Sequence, residues 1–204
     1  MMATTHALVG AMVAAVTLFL APEYTPVAVT AGIAGGVFPD LDLYWGHRQT
    51  LHYPVYFSIA AVGATIGAAY APSIWTVALA FFLLAAALHS VMDIFGGGLE
   101  LKPWQGGSDR AVYNHFHGVW LVPRRWVRYD GAPEDLLLAG VMGLPALWLY
   151  DGVIDHVILG ALVVSIGYAL VRKQMVYLAE RLIPQVPDQY LDRVPERFIR
   201  DFSR

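Results

Sequence analysis

The chain has 204 residues, of which 57% are hydrophobic and only 14% charged, with a net charge of -3 and no cysteine. A soluble domain carries about 25% charged residues, so this composition, with a mean hydropathy of +0.53, describes a membrane protein. The missing cysteine excludes disulfides, thiolate metal sites and a thiol nucleophile, and the absence of a basic excess argues against a nucleic-acid partner.

Residues 7–21 form an apolar run closed by Pro22, and residues 27–38 a second run closed by Pro39. No basic segment precedes the first run and no small-residue cleavage pattern follows it, so it reads as a span and not as a removed signal peptide. Both runs are shorter than the roughly 20 residues a spanning helix needs, which calls for tilt or for shielding by neighbouring helices. Gly32, Gly35 and Gly36 in the second run predict close helix contact. Residues 56–71 and 74–92 are the third and fourth runs, with Ser73 placed to cap the fourth.

From Gly96 to Pro133 the character changes. Gly96, Gly97 and Gly98 break the helical pattern, and Lys102, Arg110, Arg124, Arg125 and Arg128 follow, interleaved with Trp104, Tyr113, Trp120, Trp126 and Tyr129. Aromatics mixed with arginines suit a segment at the headgroup level of a bilayer. Asp109-Arg110 and Tyr129-Asp130-Gly131 read as local pairs and turns. Residues 136–150 and 153–171 form a final hairpin around Asp151-Gly152, with Arg172-Lys173 directly after it. In the tail, Leu191, Val194, Phe198 and Phe202 recur at helical spacing opposite Arg193, Arg197, Arg200 and Asp201, the pattern of an amphipathic helix on a membrane surface. The fold predicted is an all-α, polytopic bundle of about six spans. Residues 1–171 make its membrane-embedded domain, with residues 96–133 as an interfacial loop, and residues 172–204 its surface tail.

The segment between the second and third runs holds the chemistry. Asp40, Asp42, His47, Arg48 and His52 crowd into it, while only Glu23, Asp93 and Glu100 are otherwise charged in the first hundred residues. Carboxylates and imidazoles at the edge of a membrane or a dry core need a compensating partner, and a metal ion supplies one. With about six crossings, the two arginine-rich segments lie an even number of spans apart and so share a side, which the excess of Lys and Arg marks as cytoplasmic. His6, the loop from Asp40 to His52, and the end of the fourth run with His89 and Asp93 fall on that same side. His89 and Asp93 are one helical turn apart and therefore on one face.

Three histidines (His6, His52, His89) and three aspartates (Asp40, Asp42, Asp93) form a nitrogen and oxygen donor set that suits Zn²⁺, with Mn or Fe as alternatives. Six donors can hold one ion, or two sharing a carboxylate, a common arrangement for phosphoester hydrolysis. In an extended loop after Pro39, Asp40 and Asp42 project to one side. Arg48 is the natural phosphate clamp, and His47 can act as a ligand, a supporting group or a general acid. His89 with Asp93 also reads as a simple pair within one helix, and Asp40 with Asp42 as helix-end and turn residues. His115 and His117 read as surface residues, with a lid or substrate contact as the sharper option, and His156 belongs to no site.

Thr5-His6, Phe38-Pro39-Asp40-Leu41-Asp42, His47-Arg48 with His52, and His89 with Asp93, taken in this order, resemble the YdjM-type membrane-bound metal-dependent hydrolases, a family placed near the zinc-dependent phospholipase C and P1 nuclease superfamily. The likeness covers the first half of the chain, through Gly98. It implies an all-α fold and phosphoester chemistry, with His6, Asp40, Asp42, His52, His89 and Asp93 at metal positions and His47-Arg48 at the family's His-Arg pair. The chain departs from the pattern at Leu51-His52-Tyr53, where the family has Thr-His-Ser, and in the Gly96 region, where a polar Thr is common. The function expected is hydrolysis of a phosphoester, on a lipid headgroup or another membrane-proximal substrate, by metal-activated water at the cytoplasmic face of the cell membrane. The alternatives are a metal or ion transporter, and a membrane protein that uses a metal only for stability.

Overall fold

The structure, a computed structural model, describes residues 1–187 and Gln189. It is mostly helical. The helices are α1 (Ala3–Ala14), the short α2 (Thr17–Leu20), α3 (Thr25–Val37), α4 (Pro54–Tyr70), α5 (Ile74–Met92), α6 (Pro133–Leu149) and α7 (Gly152–Leu182). The surface helix expected around Leu191 to Phe202 lies outside the described residues.

Local chemistry accounts for the helix ends. Ser73 caps α5 in a reciprocal box: its hydroxyl accepts from the Thr76 N–H at 3.2 Å, and its own N–H donates to Thr76 Oγ1 at 2.9 Å. Pro54 and Pro133 open α4 and α6, at positions where a helix needs no N–H donor. Between α1 and α2 the helix breaks, and the Thr17 hydroxyl donates to the Ala14 carbonyl at 2.7 Å. The α7 helix runs unbroken through residues 171 and 172 to Leu182, so the boundary expected there falls inside a helix.

The centre of the bundle is α1, which packs against α3, α5, α6 and α7. Its Leu8, Ala11 and Ala14 are buried among Val29, Ala139, Ala146 and Ile158. Glycines bring α1 and α3 into backbone contact, as the sequence predicts. A Cβ at Gly10 would lie 2.1 Å from the Gly32 carbonyl oxygen, and one at Gly36 would lie 2.4 Å from that of His6. Residues 6 and 10 thus meet residues 36 and 32, so the two helices run antiparallel. This brings the start of α1 to the end of α3.

Three helical stretches are long and apolar enough to cross a membrane: Ala3–Leu20, Ile74–Phe95 and Gly152–Gln185. The expected six spans are not matched by helix length, because α3 has 13 residues and α4 and α6 have 17 each. Only 17% of the apolar window in α7 is buried within the protein, so that helix turns its hydrocarbon surface outward. Residues 96–132 are irregular apart from the turn at Pro103–Gln105 and a two-stranded hairpin, in which β1 (Tyr113–Asn114) pairs antiparallel with β2 (Val119–Trp120).

Candidate metal centre

Four chain segments meet at one end of the bundle. The start of α1 carries His6. The turn Phe38–Tyr44 after α3 carries Asp40 and Asp42, the last residues before α4 carry His52, and the end of α5 carries His89 and Asp93. The sequence places these residues at one end by counting spans, and the structure brings four of them together. Asp40, His52, His89 and Asp93 each offer a donor atom, all within 4.8 Å of one another, and this cluster of two carboxylates and two imidazoles can hold a metal ion.

Five of its six donor separations run from 3.2 to 4.0 Å. His52 Nε2 lies 3.2 Å from His89 Nε2, 3.5 Å from Asp93 Oδ2 and 4.0 Å from Asp40 Oδ1. His89 Nε2 lies 3.4 Å from Asp40 Oδ1 and 3.6 Å from Asp93 Oδ2. Ligand bonds of roughly 2.0–2.1 Å in a tetrahedron put donor atoms about 3.3 Å apart.

The outer hydrogen bonds point the same way. His52 Nδ1 donates to Asp42 Oδ2 at 3.0 Å, and His89 Nδ1 donates to the Gly36 carbonyl at 2.6 Å. A neutral imidazole that donates through Nδ1 keeps a lone pair on Nε2. Both inward nitrogens and both inward carboxylate oxygens are therefore electron-rich and face one another. A cation between them removes the repulsion, and an outer carboxylate or carbonyl holding each imidazole is the usual support of a metal-bound histidine.

Two expected ligands lie outside this group. Asp42 is fully buried and already saturated. Its Oδ1 accepts from His47 Nδ1 at 3.0 Å and from the Arg48 N–H at 3.3 Å, and its Oδ2 accepts from the Leu51 N–H at 3.1 Å and from His52 Nδ1. The reason is backbone geometry. The segment is a 3₁₀ turn, not the extended loop expected, and with three residues per turn the side chains at 40 and 42 point a third of a revolution apart. His6 stacks on the His89 ring at 3.6 Å, and its Nε2 meets Asp93 Oδ1 at 3.2 Å, so it steadies the cluster from behind. Its Nδ1 is buried without a hydrogen-bond partner among the described residues.

Arg48 and His47 stand beside the cluster. The Arg48 backbone is left-handed, with φ of 60°, a conformation costly for a side chain with a Cβ. The Asp42 carboxylate and a hydrogen bond from the Tyr113 N–H to the Arg48 carbonyl at 2.9 Å hold it there. Its guanidinium pairs with Asp93 through Nε at 3.0 Å and donates from Nη1 to the Gly97 carbonyl at 2.7 Å. Burial pushes the Asp42 carboxyl up, but the hydrogen bonds from His47 and His52 outweigh it and hold the group below the usual carboxylate range. The Asp40 side chain is 19% exposed, against 1% or less for the other three donors, so the cluster opens to the outside at Asp40.

Asp40, His47 and Arg48 also line a cavity of about 620 Å³ that lies between the start of α1, residues 97–103 and α7. Several residues that shape this region carry no signal in the sequence. Asp135 of α6 is buried and accepts from the Met2 N–H and the Thr5 hydroxyl, each at 2.7 Å, which fixes α1 one residue before His6. Asp130, expected to act within a local turn, instead reaches α7. It takes two hydrogen bonds from Arg172, at 2.8 and 3.1 Å, and one from the Tyr168 hydroxyl. Asp109 pairs with Arg125 at 3.7 Å, while Arg110 lies over Trp120, so these two do not form the local pair expected. His115 donates to the Gln49 carbonyl at 2.6 Å and packs on Tyr53, which braces the loop from outside, and His117 accepts from Asn114. His156 donates to the carbonyl of Gly152, at the start of α7. Comparison of the chain with family models, with curated proteins and with solved structures finds no match.

Proposed function

We propose that this protein is a membrane-embedded, metal-dependent hydrolase of phosphoesters. The observation that carries the reading is the inward convergence of four lone-pair donors, two nitrogens and two oxygens, within 4.8 Å of one another beside an open cavity. A divalent cation there, Zn²⁺ by its donor set, would supply a hydroxide-like nucleophile at neutral pH and neutralise phosphoryl charge. Arg48 binds a phosphoryl oxygen with the donors left over from Asp93 and Gly97, since a guanidinium has five N–H groups. His47 lines the cavity and is held through Nδ1 by Asp42, which orients the ring to give a proton to the leaving oxygen.

The likeness to YdjM-type hydrolases in motif order belongs to this proposal. So do six crossings, with the shorter helices shielded by their neighbours, and a cytoplasmic site, which follows from the arginines of residues 102–128.

Purified full-length protein should carry close to one equivalent of a divalent metal by elemental analysis and should hydrolyse bis(p-nitrophenyl) phosphate. Asp40→Ala and His89→Ala should each lose the metal and lower turnover by about 10²-fold or more, the loss expected on removing a group that sets the reaction geometry. Turnover unchanged in both variants sinks the reading.

A further inference from the structure

The cavity beside the cluster has two walls of different character. One carries Asp40, the most exposed of the four donors, together with His47 and Arg48. The other is α7, where Val164 and Ala179 both line the cavity and stand about 22 Å apart along the helix, at 1.5 Å of rise per residue. A volume of about 620 Å³ spread over that length makes the cavity a long slot. Its α7 wall is largely hydrocarbon, from Val164, Met175, Val176 and Ala179, and Leu41 and Leu43 add to it from the turn that carries Asp40. Tyr168 and Arg172 also line the slot, but their polar ends are spent on Asp130. The slot reaches the outer surface of the bundle, because Val164 and Met175 line it and are still 57% and 52% exposed. That surface belongs to a helix long and apolar enough to cross a membrane, with only 17% of its apolar window buried in the protein. The medium on that side is therefore lipid hydrocarbon, and an apolar slot open to it is filled by a chain more favourably than by water.

We infer that the slot binds the hydrocarbon chain of a lipid phosphoester, which makes a lipid phosphate, and not a water-soluble ester, the substrate of the site. The phosphoryl group meets Arg48 beside the cluster and the chain lies along α7. A compact soluble ester would leave most of the slot empty. The phosphoryl end rests on the hydrolase reading; the chain is argued from the slot and from the outward flank of α7.

Binding is the test, read by calorimetry on the full-length protein in phosphatidylcholine nanodiscs, with the signal of empty nanodiscs subtracted. The probes are octyl phosphate, ethyl phosphate and 1-octanol. Octyl phosphate should bind at one saturable site about a hundredfold or more tightly than ethyl phosphate, since each methylene taken out of water adds a factor of about four. 1-Octanol, which lacks the phosphoryl group, should bind far more weakly than octyl phosphate. Val164→Trp and Met175→Trp fill the slot from positions already about half exposed, so the fold tolerates them. Each should weaken octyl phosphate about tenfold and leave ethyl phosphate unchanged. Equal affinity of the wild type for the two esters overturns the inference, and so does 1-octanol binding as tightly as octyl phosphate. Octyl phosphate binding that neither substitution moves overturns it as well, because the chain then lies elsewhere. The two readings fail separately. Chain-dependent binding without any hydrolysis keeps this inference and removes the hydrolase, while hydrolysis of bis(p-nitrophenyl) phosphate without chain preference does the reverse.

Discussion

Asp42 shows how far a single residue can sit from the role its neighbours suggest. It stands two positions from Asp40 and shares its chemistry, yet it holds His47, Arg48, Leu51 and His52 in place while Asp40 faces the cluster. Asp42→Asn exchanges one acceptor for a donor opposite the His52 N–H and favours the wrong imidazole tautomer. Metal affinity should then fall about 10- to 100-fold, as for other outer-shell partners of metal-bound histidines, with the fold largely kept. A competition titration against a chelator measures the first effect and circular dichroism the second. Asp40→Asn, in contrast, exchanges an anionic ligand oxygen for a neutral, weakly coordinating amide oxygen and should reduce bound metal to background in elemental analysis. Both residues are legible in the sequence as chemistry-bearing; their division of labour is not.

At the level of elements, the contact between α1 and α3 determines where the histidines stand. Gly36 touches the His6 carbonyl and offers its own carbonyl to His89, so one position serves both helices. Gly36→Ala would force α1 away from α3. It should cost roughly 1–3 kcal/mol, as overpacking does, seen as a lower thermal midpoint in detergent together with reduced metal content. A second junction ties the loop before α6 to α7 through Asp130 and Arg172. Burial raises the Asp130 carboxyl, but the Arg172 charge outweighs it and holds the group below its ordinary value of 3.8. A carboxyl depressed in the folded state contributes stability that is present above its unfolded value and is lost as pH falls through the folded one. Thermal midpoints of the wild type should therefore drop below about pH 4. Asp130→Asn should be less stable near neutrality by roughly 1–3 kcal/mol, between the exposed and buried limits for an ion pair, and its acid limb should be shallower. An unchanged midpoint at pH 7 would remove Asp130 from any structural role.

Over the whole molecule the question is how the bundle sits in a bilayer. By length and apolarity, three stretches among the described residues qualify as spans. Tyr44, Trp45, Phe116 and Trp126 are exposed near the site end, a placement that suits the headgroup level. Because the chain contains no cysteine, single cysteines can be introduced without a background. Under six crossings, Trp45→Cys and Arg110→Cys should react with an impermeant maleimide from one side of sealed vesicles, and Pro72→Cys and Asp151→Cys from the other. Reaction of all four from one side would mean that the shorter helices do not cross.

The apolar helices, the Ser73 cap, the glycine contact and the identity of the residues that bear chemistry at one end could all be read along the chain. These properties depend on composition and on a few consecutive residues, where periodicity and capping operate. Packing between distant segments is what brings Asp40, His52, His89 and Asp93 into one cluster, with Asp42 holding the His52 ring and His6 stacked on His89. Donor spacing and burial arise where α1, the 3₁₀ turn, α5 and α7 come together, and those contacts join positions dozens of residues apart. No local pattern encodes them.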